Sequence, residues 1–350
     1  MAEAVLYFPY ISVPRNAWFT RVLLYWDEVG SIVPERHAED LSRVSAFMRD
    51  LVSAELVRPI VPEAFDRRLY GAVDPFLEFV DSDPEIAARA AIGFGSESAS
   101  RGGSEPGTSM RIHRGKFGYM LGDQLERRGL ARPAGDGRRG RDWLEVESRT
   151  ATAYMAYLSA TLGALDEVEM DPITDTLGSL APFGGGEPTA PMQLVAELRM
   201  GVLESVLPGP ANSISVSTLV RFKERHGELL GRFRRHIESH LLDLAVIPDA
   251  AVREAKRGIL TAELQDQLDE IQGRMRPKWT NLVFGTLCNV LGAAIPVGAA
   301  VATGALPVAA GGVPGLMNAI YSAQSAVRSS GEVRKDPLAY AALAREHLVD

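Results

Sequence analysis

The sequence predicts an α+β protein that is predominantly helical, with a small N-terminal α/β unit followed by a helical part. Three observations predict this class. Short β-prone runs alternate with amphipathic helical stretches in residues 1 to 94. Two charged stretches between residues 217 and 276 carry apolar residues at helical spacing, and they predict an amphipathic helix pair. A Gly- and Ala-rich segment from 279 to 327 contains no Asp, Glu, Lys, Arg or His, and it predicts an uncharged helical hairpin.

The N-terminal unit is expected from three β-prone runs, at residues 4 to 8, 29 to 33 and 56 to 61. Asn16 is placed to cap a helix between the first two runs, and a second amphipathic helix occupies about residues 38 to 54. Strands that alternate with helices of this length form parallel sheets with crossover helices. This part of the chain is therefore expected to be a small α/β domain.

The middle of the chain is expected to begin with a flexible linker or loop at residues 95 to 110, which is rich in Gly and Ser. Residues 111 to 206 are expected to be mainly helical, with helices over about 112 to 128 and 148 to 165. The stretch from Met170 to Pro191 contains four prolines and three consecutive glycines, so it is predicted to be a connection.

Residues 207 to 350 are expected to form a helical domain that begins with the amphipathic helix pair. The second helix of the pair carries a row of apolar residues, which the spacing places on one side: Ile259, Leu260, Leu264, Leu268 and Ile271. The uncharged hairpin at 279 to 327 follows. Its length allows membrane insertion, and its small residues also suit a hairpin packed inside a helical bundle. Both alternatives stay open.

Four residues distinguish membrane insertion of the hairpin from packing inside a bundle. Trp279 is placed as an interfacial anchor would be, and Leu287, Leu291 and Ile295 are the side chains whose burial in the bundle would exclude insertion. The N-terminal MAEAVLYFPY lacks the basic start and the cleavage site of a signal peptide. A cytoplasmic location is therefore expected, with membrane association as the alternative.

The composition excludes a broad attraction to polyanions. The formal net charge is −8, so contact with nucleic acid or anionic lipid would need a local basic patch. The single cysteine, Cys288, excludes an internal disulfide.

Several short motifs carry a resemblance that spans most of the chain. They are LYFPY at 6 to 10, LLYWDEV at 23 to 29, IVP at 32 to 34, WLEV at 143 to 146, YMAYL at 154 to 158, RFKERHGELLGRFRRHIE at 221 to 238 and DPLAY at 336 to 340. On these motifs the chain resembles an uncharacterised family of bacterial proteins known only as a domain of unknown function. The resemblance implies no activity and no catalytic residues.

Acidic residues near the ends of predicted strands are the weak catalytic candidates. Asp27 and Glu28 lie where a helix passes into a strand, and Asp175 lies near a loop. Carboxylates at strand ends can hold Mg²⁺ for phosphoester chemistry, so a metal-dependent phosphoester or nucleic-acid enzyme is one alternative hypothesis. Helix capping and solvation explain these side chains equally well.

His236 and His240 are the weak metal-ligand candidates. They lie four residues apart on a predicted helix, so the two imidazoles could share a face. Ile237 stands where a zincin has Glu, and no third ligand is evident, so a packing role is favoured. No metal and no other cofactor is expected.

A basic segment at residues 111 to 141 supports a third hypothesis, nucleic-acid binding. A helix followed by an Arg-rich hairpin is typical of a winged-helix DNA-binding domain. The weak candidates for contact are Arg114, Lys116, Arg138, Arg139 and Arg141. The acidic overall charge favours a solvated basic face, and nucleic acid is an unlikely partner in this interpretation.

The sequence contains no specific catalytic signature, so it favours a non-enzymatic cytosolic interaction protein. Its partner is expected to be an unknown protein or a second copy of the chain, with a membrane surface as the further alternative. One finer hypothesis, which rests on the uncharged segment alone, is a conditional membrane-associating component of bacterial stress or phage defence.

Overall fold

The computed structural model describes residues 4–92, 109–117, 120–135, 142–175, 190–209, 214–275 and 334–348. The protein is α+β and predominantly helical, as the sequence predicts. It divides into two compact units, the first formed by Met1–Glu204 with Gly209–Arg225 and the second by Ser205–Pro208 with His226–Asp350. The first unit thus contains the N-terminal α/β elements together with most of the region expected to be mainly helical.

Two features predicted from the sequence lie outside the described residues. One is the uncharged segment at 279 to 327 with Trp279, Leu287, Leu291 and Ile295, and the other is most of the linker at 95 to 110. In the described ranges, none of the helices is long and apolar enough to span a membrane.

A four-stranded parallel sheet organises the first unit. Its strands are β1 (Ala4–Tyr7), β2 (Glu28–Ile32), β3 (Val57–Ile60) and β7 (Asp171–Ile173), in the order β3-β2-β1-β7. The three predicted N-terminal strands are confirmed. The fourth falls where the sequence predicted only a connection, because it is three residues long and contains Pro172, which has no N–H to donate.

Helices connect and cover the strands of this unit: α1 (Ala17–Tyr25), α2 (Glu35–Glu39), α3 (Ala46–Ser53), α4 (Asp66–Leu69), α5 (Val73–Ser82), α6 (Pro84–Ile92), α7 (Leu121–Arg127) and α8 (Ser148–Gly163). Short 3₁₀ turns lie at Leu41–Arg43, Pro62–Phe65, Tyr70–Ala72 and Arg114–Lys116. Asn16 caps α1 as predicted, because its side-chain oxygen accepts a hydrogen bond from the amide of Phe19 at 2.9 Å.

A second, antiparallel sheet lies in the middle of the chain. It contains β4 (Ser109–His113), β5 (Ala131–Pro133) and β6 (Trp143–Glu147), in the order β4-β6-β5. The prediction of a helix over 112 to 128 is therefore wrong for the first half of that range. Gly115 and Gly118 weaken a helix there, by about 1 kcal/mol each relative to Ala.

The two sheets share one hydrophobic core. Helix α8 contacts β1 and β7 of the parallel sheet and β4 and β6 of the antiparallel sheet. Its Met155 and Leu162 belong to the same buried cluster as Leu6 of β1 and Leu144 of β6. The first unit is thus built around a helix between two sheets.

The second unit is helical. Helices α9 (Ala190–Val206) and α10 (Val216–Ala245) contain residues of both units, whereas α11 (Ala250–Met275) and α12 (Ala339–Leu348) lie in the second alone. Asp249 is the N-cap of α11, since its Oδ1 accepts hydrogen bonds from the amides of Ala251 and Val252 at 2.8 and 2.9 Å. Helix α12 packs on α11, and its Tyr340 stacks on Phe233 of α10 with 5.7 Å between ring centroids.

Candidate functional site

The acidic candidates lie at opposite edges of the parallel sheet. Asp27 precedes β2 and Glu28 begins it, and Glu28 forms an ion pair with Arg58 of β3 at 2.5 Å. Asp175 follows β7, at the carboxyl edge. Parallel strands all begin at one edge and end at the other, so Asp27 and Glu28 do not converge with Asp175. In the described part of the chain, no group of three or more His, Cys, Asp or Glu is placed to hold a metal.

Asp175 instead belongs to the crevice between β1 and β7. The phenolic O–H of Tyr7, the last residue of β1, donates to Oδ1 of Asp175 at 3.2 Å. Burial and then the neighbouring Asp175 raise the pKa of Tyr7 above its ordinary value. Strand order changes direction between β1 and β7, and this switch point is where open α/β sheets commonly bind ligands.

Lys116 is buried rather than placed on a nucleic-acid-binding surface. It is 2% exposed, and its Nζ donates to the carbonyl oxygen of Pro9 at 2.7 Å. Burial lowers the pKa of Lys116 to about 7. The prediction that Lys116 contacts nucleic acid is therefore wrong. The residue ends the 3₁₀ turn after β4 and points into the protein, whereas the sequence placed it on an exposed helix face.

Two histidines lie near enough to Lys116 for its charge to lower their pKa values, and a tryptophan packs against both of their rings. The His37 and His113 rings are 5.0 Å apart, and the His113 and Trp143 rings are 5.1 Å apart. Burial, followed by the charge of His37, lowers the pKa of His113 to about 4, and burial also lowers the pKa of His37. His113 Nδ1 accepts a hydrogen bond from the amide of Gly115 at 3.1 Å, which agrees with a neutral imidazole at this position.

Glu63 completes this group. Its Oε1 accepts a hydrogen bond from the amide of Glu35 at 3.2 Å, and burial raises the pKa of the carboxyl group. A Cβ at Gly115 would overlap Oε1 of Glu63, so a larger residue at position 115 would force this carboxylate to move. Among the described residues, neither Oε2 of Glu63 nor Nδ1 of His37 has a hydrogen-bond partner, although both atoms are buried.

We call His37, Glu63, His113, Lys116 and Trp143 the edge cluster. Two members follow β2 and β3, two lie at the end of β4 and directly after it, and one begins β6. The cluster therefore lies where the carboxyl edge of the parallel sheet meets the antiparallel sheet. Sequence reasoning missed it, because His37, Glu63 and Trp143 lie far in the chain from the other two members and the five residues form no motif. Chemically, it places an amine and two imidazoles with lowered pKa values beside a carboxyl group with a raised one.

Three arginines in the described part of the basic segment form ion pairs with carboxylates. Arg114 forms ion pairs with Asp123 and Glu126 of α7. Arg128 pairs with Asp81 at 2.8 Å, and Arg132 pairs with Glu145 at 2.8 Å. Helix α7 followed by the β5–β6 hairpin has the order expected of a winged helix, yet carboxylates accompany its cations and oppose phosphate contact. Arg138, Arg139 and Arg141 lie outside the described residues.

His236 and His240 pack against each other on α10. Their ring centroids are 4.7 Å apart with the planes at 86°. Burial, and then the charge of His240, lowers the pKa of His236. In the described ranges the structure places no third His, Cys, Asp or Glu with this pair to complete a metal site.

The contacts described above come from this chain alone. No protein-family model, no curated protein and no solved structure matches this chain. The resemblance to the bacterial family therefore stays an expectation from the sequence motifs.

A second feature is an exposed apolar row on α11. Val252, Ala255, Ile259 and Ala262 are all exposed, and they follow one another at intervals of three, four and three residues. We call these four residues the α11 stripe. Ile259 is 60% exposed and Val252 is 56% exposed. The prediction that Ile259 shares the buried side of the helix with Leu260 is therefore wrong.

The α11 stripe lies nearly opposite the side of the helix that is buried in the second unit. That buried side carries Leu260, Leu264, Leu268 and Ile271. At 3.6 residues per turn, the two rows point in almost opposite directions. Helix α11 thus has two apolar faces, one of which is covered.

Proposed function

We propose that this protein is a non-enzymatic interaction protein that binds a partner helix through the α11 stripe. The observation that supports the proposal is the spacing of the four exposed side chains, which matches the a and d positions of a coiled-coil seam. A helix that packs only on its own domain has one apolar face, and α11 has two.

Energetics favour covering this surface. Burying a Val or Ile side chain contributes roughly 1.5–3 kcal/mol relative to leaving it in water. Val252 and Ile259 lie seven residues apart, and both retain more than half of their accessible surface. Ala255 and Ala262 alternate with them, and their small side chains leave room for a neighbouring helix at close distance. The stripe therefore combines two anchors with two points of close approach.

Site-specific photo-crosslinking in cells tests the proposal. A photoreactive phenylalanine analogue replaces Ile259 in the full-length protein, and a matched variant carries it at Gln265. Gln265 is exposed on the same helix but lies outside the stripe. We expect a crosslinked adduct from position 259 and none, or much less, from position 265.

Two results would contradict the proposal. One is the absence of an adduct at position 259 in cells that express the folded protein. The other is equal crosslinking at both positions, because that pattern indicates random collision and not a bound helix.

The uncharged segment supports a finer proposal, that the protein associates conditionally with membranes in bacterial stress or phage defence. The segment from Trp279 to Val327 contains no charged residue. A membrane-spanning helix needs about 20 apolar residues, so the segment is long enough to contain one. Cell fractionation of the wild type and Leu291→Lys tests it. A buried Lys in the bilayer costs about 2.5–3.5 kcal/mol, so the variant should shift to the soluble fraction. An identical distribution of the two proteins would oppose membrane association.

A further inference from the structure

We infer that the partner of the α11 stripe is a second copy of this chain, packed antiparallel along α11 about a two-fold axis. The inference rests on the proposed function, because it names the occupant of the same surface. In a two-fold dimer the same patch serves on both subunits, so the patch must be complementary to itself.

The charges beside the stripe meet this requirement. Lys256 and Glu263 lie seven residues apart, so they share one flank of the stripe. Both are exposed, and in the part of the chain that the structure describes neither forms an ion pair or a side-chain hydrogen bond. The flank thus presents one available positive and one available negative charge, separated by two helical turns.

Antiparallel packing brings these opposite charges together. With the two-fold axis between Leu260 and Thr261, Lys256 of one copy lies within about 3 Å, along the helix axis, of Glu263 in the other. The same register places Ile259 against Ala262 of the second copy, so a large side chain meets a small one. Symmetry repeats both contacts.

Parallel packing does not offer these contacts. Its two-fold axis runs along the helices, so the flank that carries Lys256 and Glu263 lies on opposite sides of the seam in the two copies. The opposite charges then do not face each other, whereas each antiparallel contact between them stabilises by about 0.2–0.5 kcal/mol. The charge pattern therefore favours the antiparallel orientation.

Reciprocal charge reversal tests the inference on the full-length protein. The variants Lys256→Glu and Glu263→Lys each replace two attractive contacts by two repulsive ones, so each should self-associate about tenfold more weakly than the wild type. In an equimolar mixture the two variants have opposite charges facing each other at both contacts. Sedimentation velocity should then show a mixed dimer with close to wild-type affinity.

Different failures have different meanings. A mixture that associates as weakly as its components overturns the antiparallel arrangement. A wild-type protein that remains a monomer, or an adduct at position 259 that contains a different protein, overturns the second copy as the partner. The proposed function fails on different results, which are the absence of any adduct at position 259 or equal crosslinking at positions 259 and 265, so the two claims fail separately.

Discussion

Nζ of Lys116 donates a hydrogen bond to the carbonyl oxygen of Pro9 at 2.7 Å, in the interior of the first unit. Pro9 follows β1 of the parallel sheet, and Lys116 follows β4 of the antiparallel sheet. Tyr154 of α8 donates its hydroxyl proton to the carbonyl oxygen of Lys116 at 2.6 Å. Both sheets and the helix between them are therefore tied together at one residue.

The first prediction concerns the pH dependence that Lys116 gives to stability. Burial lowers its pKa to about 7, against an ordinary value of 10.5. Between these values the unfolded chain binds more protons than the folded chain, so the free energy of unfolding should rise with pH in this interval. Lys116→Met should lack this rise. Urea unfolding at about pH 7, 8 and 9 measures the difference, and parallel profiles for the two proteins would contradict it.

The second prediction concerns His113, whose pKa is lowered to about 4 from an ordinary 6.5. The unfolded chain binds more protons between these values, so the contribution of His113 to stability is lost as the pH falls through this interval. An NMR titration should give a midpoint well below 6.5 for this imidazole. His37→Ala should raise the midpoint, because the charge of His37 is one cause of the shift. An ordinary midpoint would show that the ring is solvated.

Gly163 provides the third prediction. A Cβ at this position would overlap the carbonyl oxygen of Met170, where the chain leaves α8 and approaches β7. The obstacle is backbone and cannot rotate away, so Gly163→Ala should reduce the free energy of unfolding by about 1–3 kcal/mol.

Gly71→Ala is the matched control in the same unit, because nothing lies within 4 Å of a Cβ there. It should cause no loss of stability, within about 0.5 kcal/mol. Urea unfolding compares the two variants, and equal stabilities would mean that the approach of Met170 to α8 is loose.

The fourth prediction concerns Lys223, which caps the end of α1. Its Nζ donates to the carbonyl oxygens of Leu23 and Trp26 at 2.9 and 2.8 Å. A cation at a helix C-terminus stabilises the last carbonyl groups, so Lys223→Met should cost about 1–2 kcal/mol. Arg225→Met removes an exposed cation from the same helix and should be nearly neutral. Similar effects of the two substitutions on urea unfolding would contradict the capping role.

The sequence was sufficient for the elements with a strong local pattern. Strands β1, β2 and β3 were predicted because each β-prone run is separated from the next by a helix. Strand β7 was not, since three residues that include Pro172 carry little signal. The end of strand β4 was assigned to a helix because Ile112, Phe117 and Leu121 fall at intervals that a helix could also explain.

The candidate site depended on contacts between distant residues, which periodicity does not report. Lys116 was interpreted as exposed because a lysine among arginines is usually solvated, and only the fold shows that it reaches Pro9. Ile259 was placed on the same side of α11 as Leu260 because the whole apolar row was interpreted as one face. Neighbouring residues on a helix point about 100° apart, so a row that contains both cannot be a single face.

The molar mass of the purified full-length protein in solution tests the central claim most directly. Light scattering of the wild type, Ile259→Asp and Gln265→Asp compares the stripe with an exposed position outside it on the same helix. We expect the wild type and Gln265→Asp to have the mass of two chains and Ile259→Asp to have the mass of one. The same mass for all three proteins would contradict self-association through the α11 stripe.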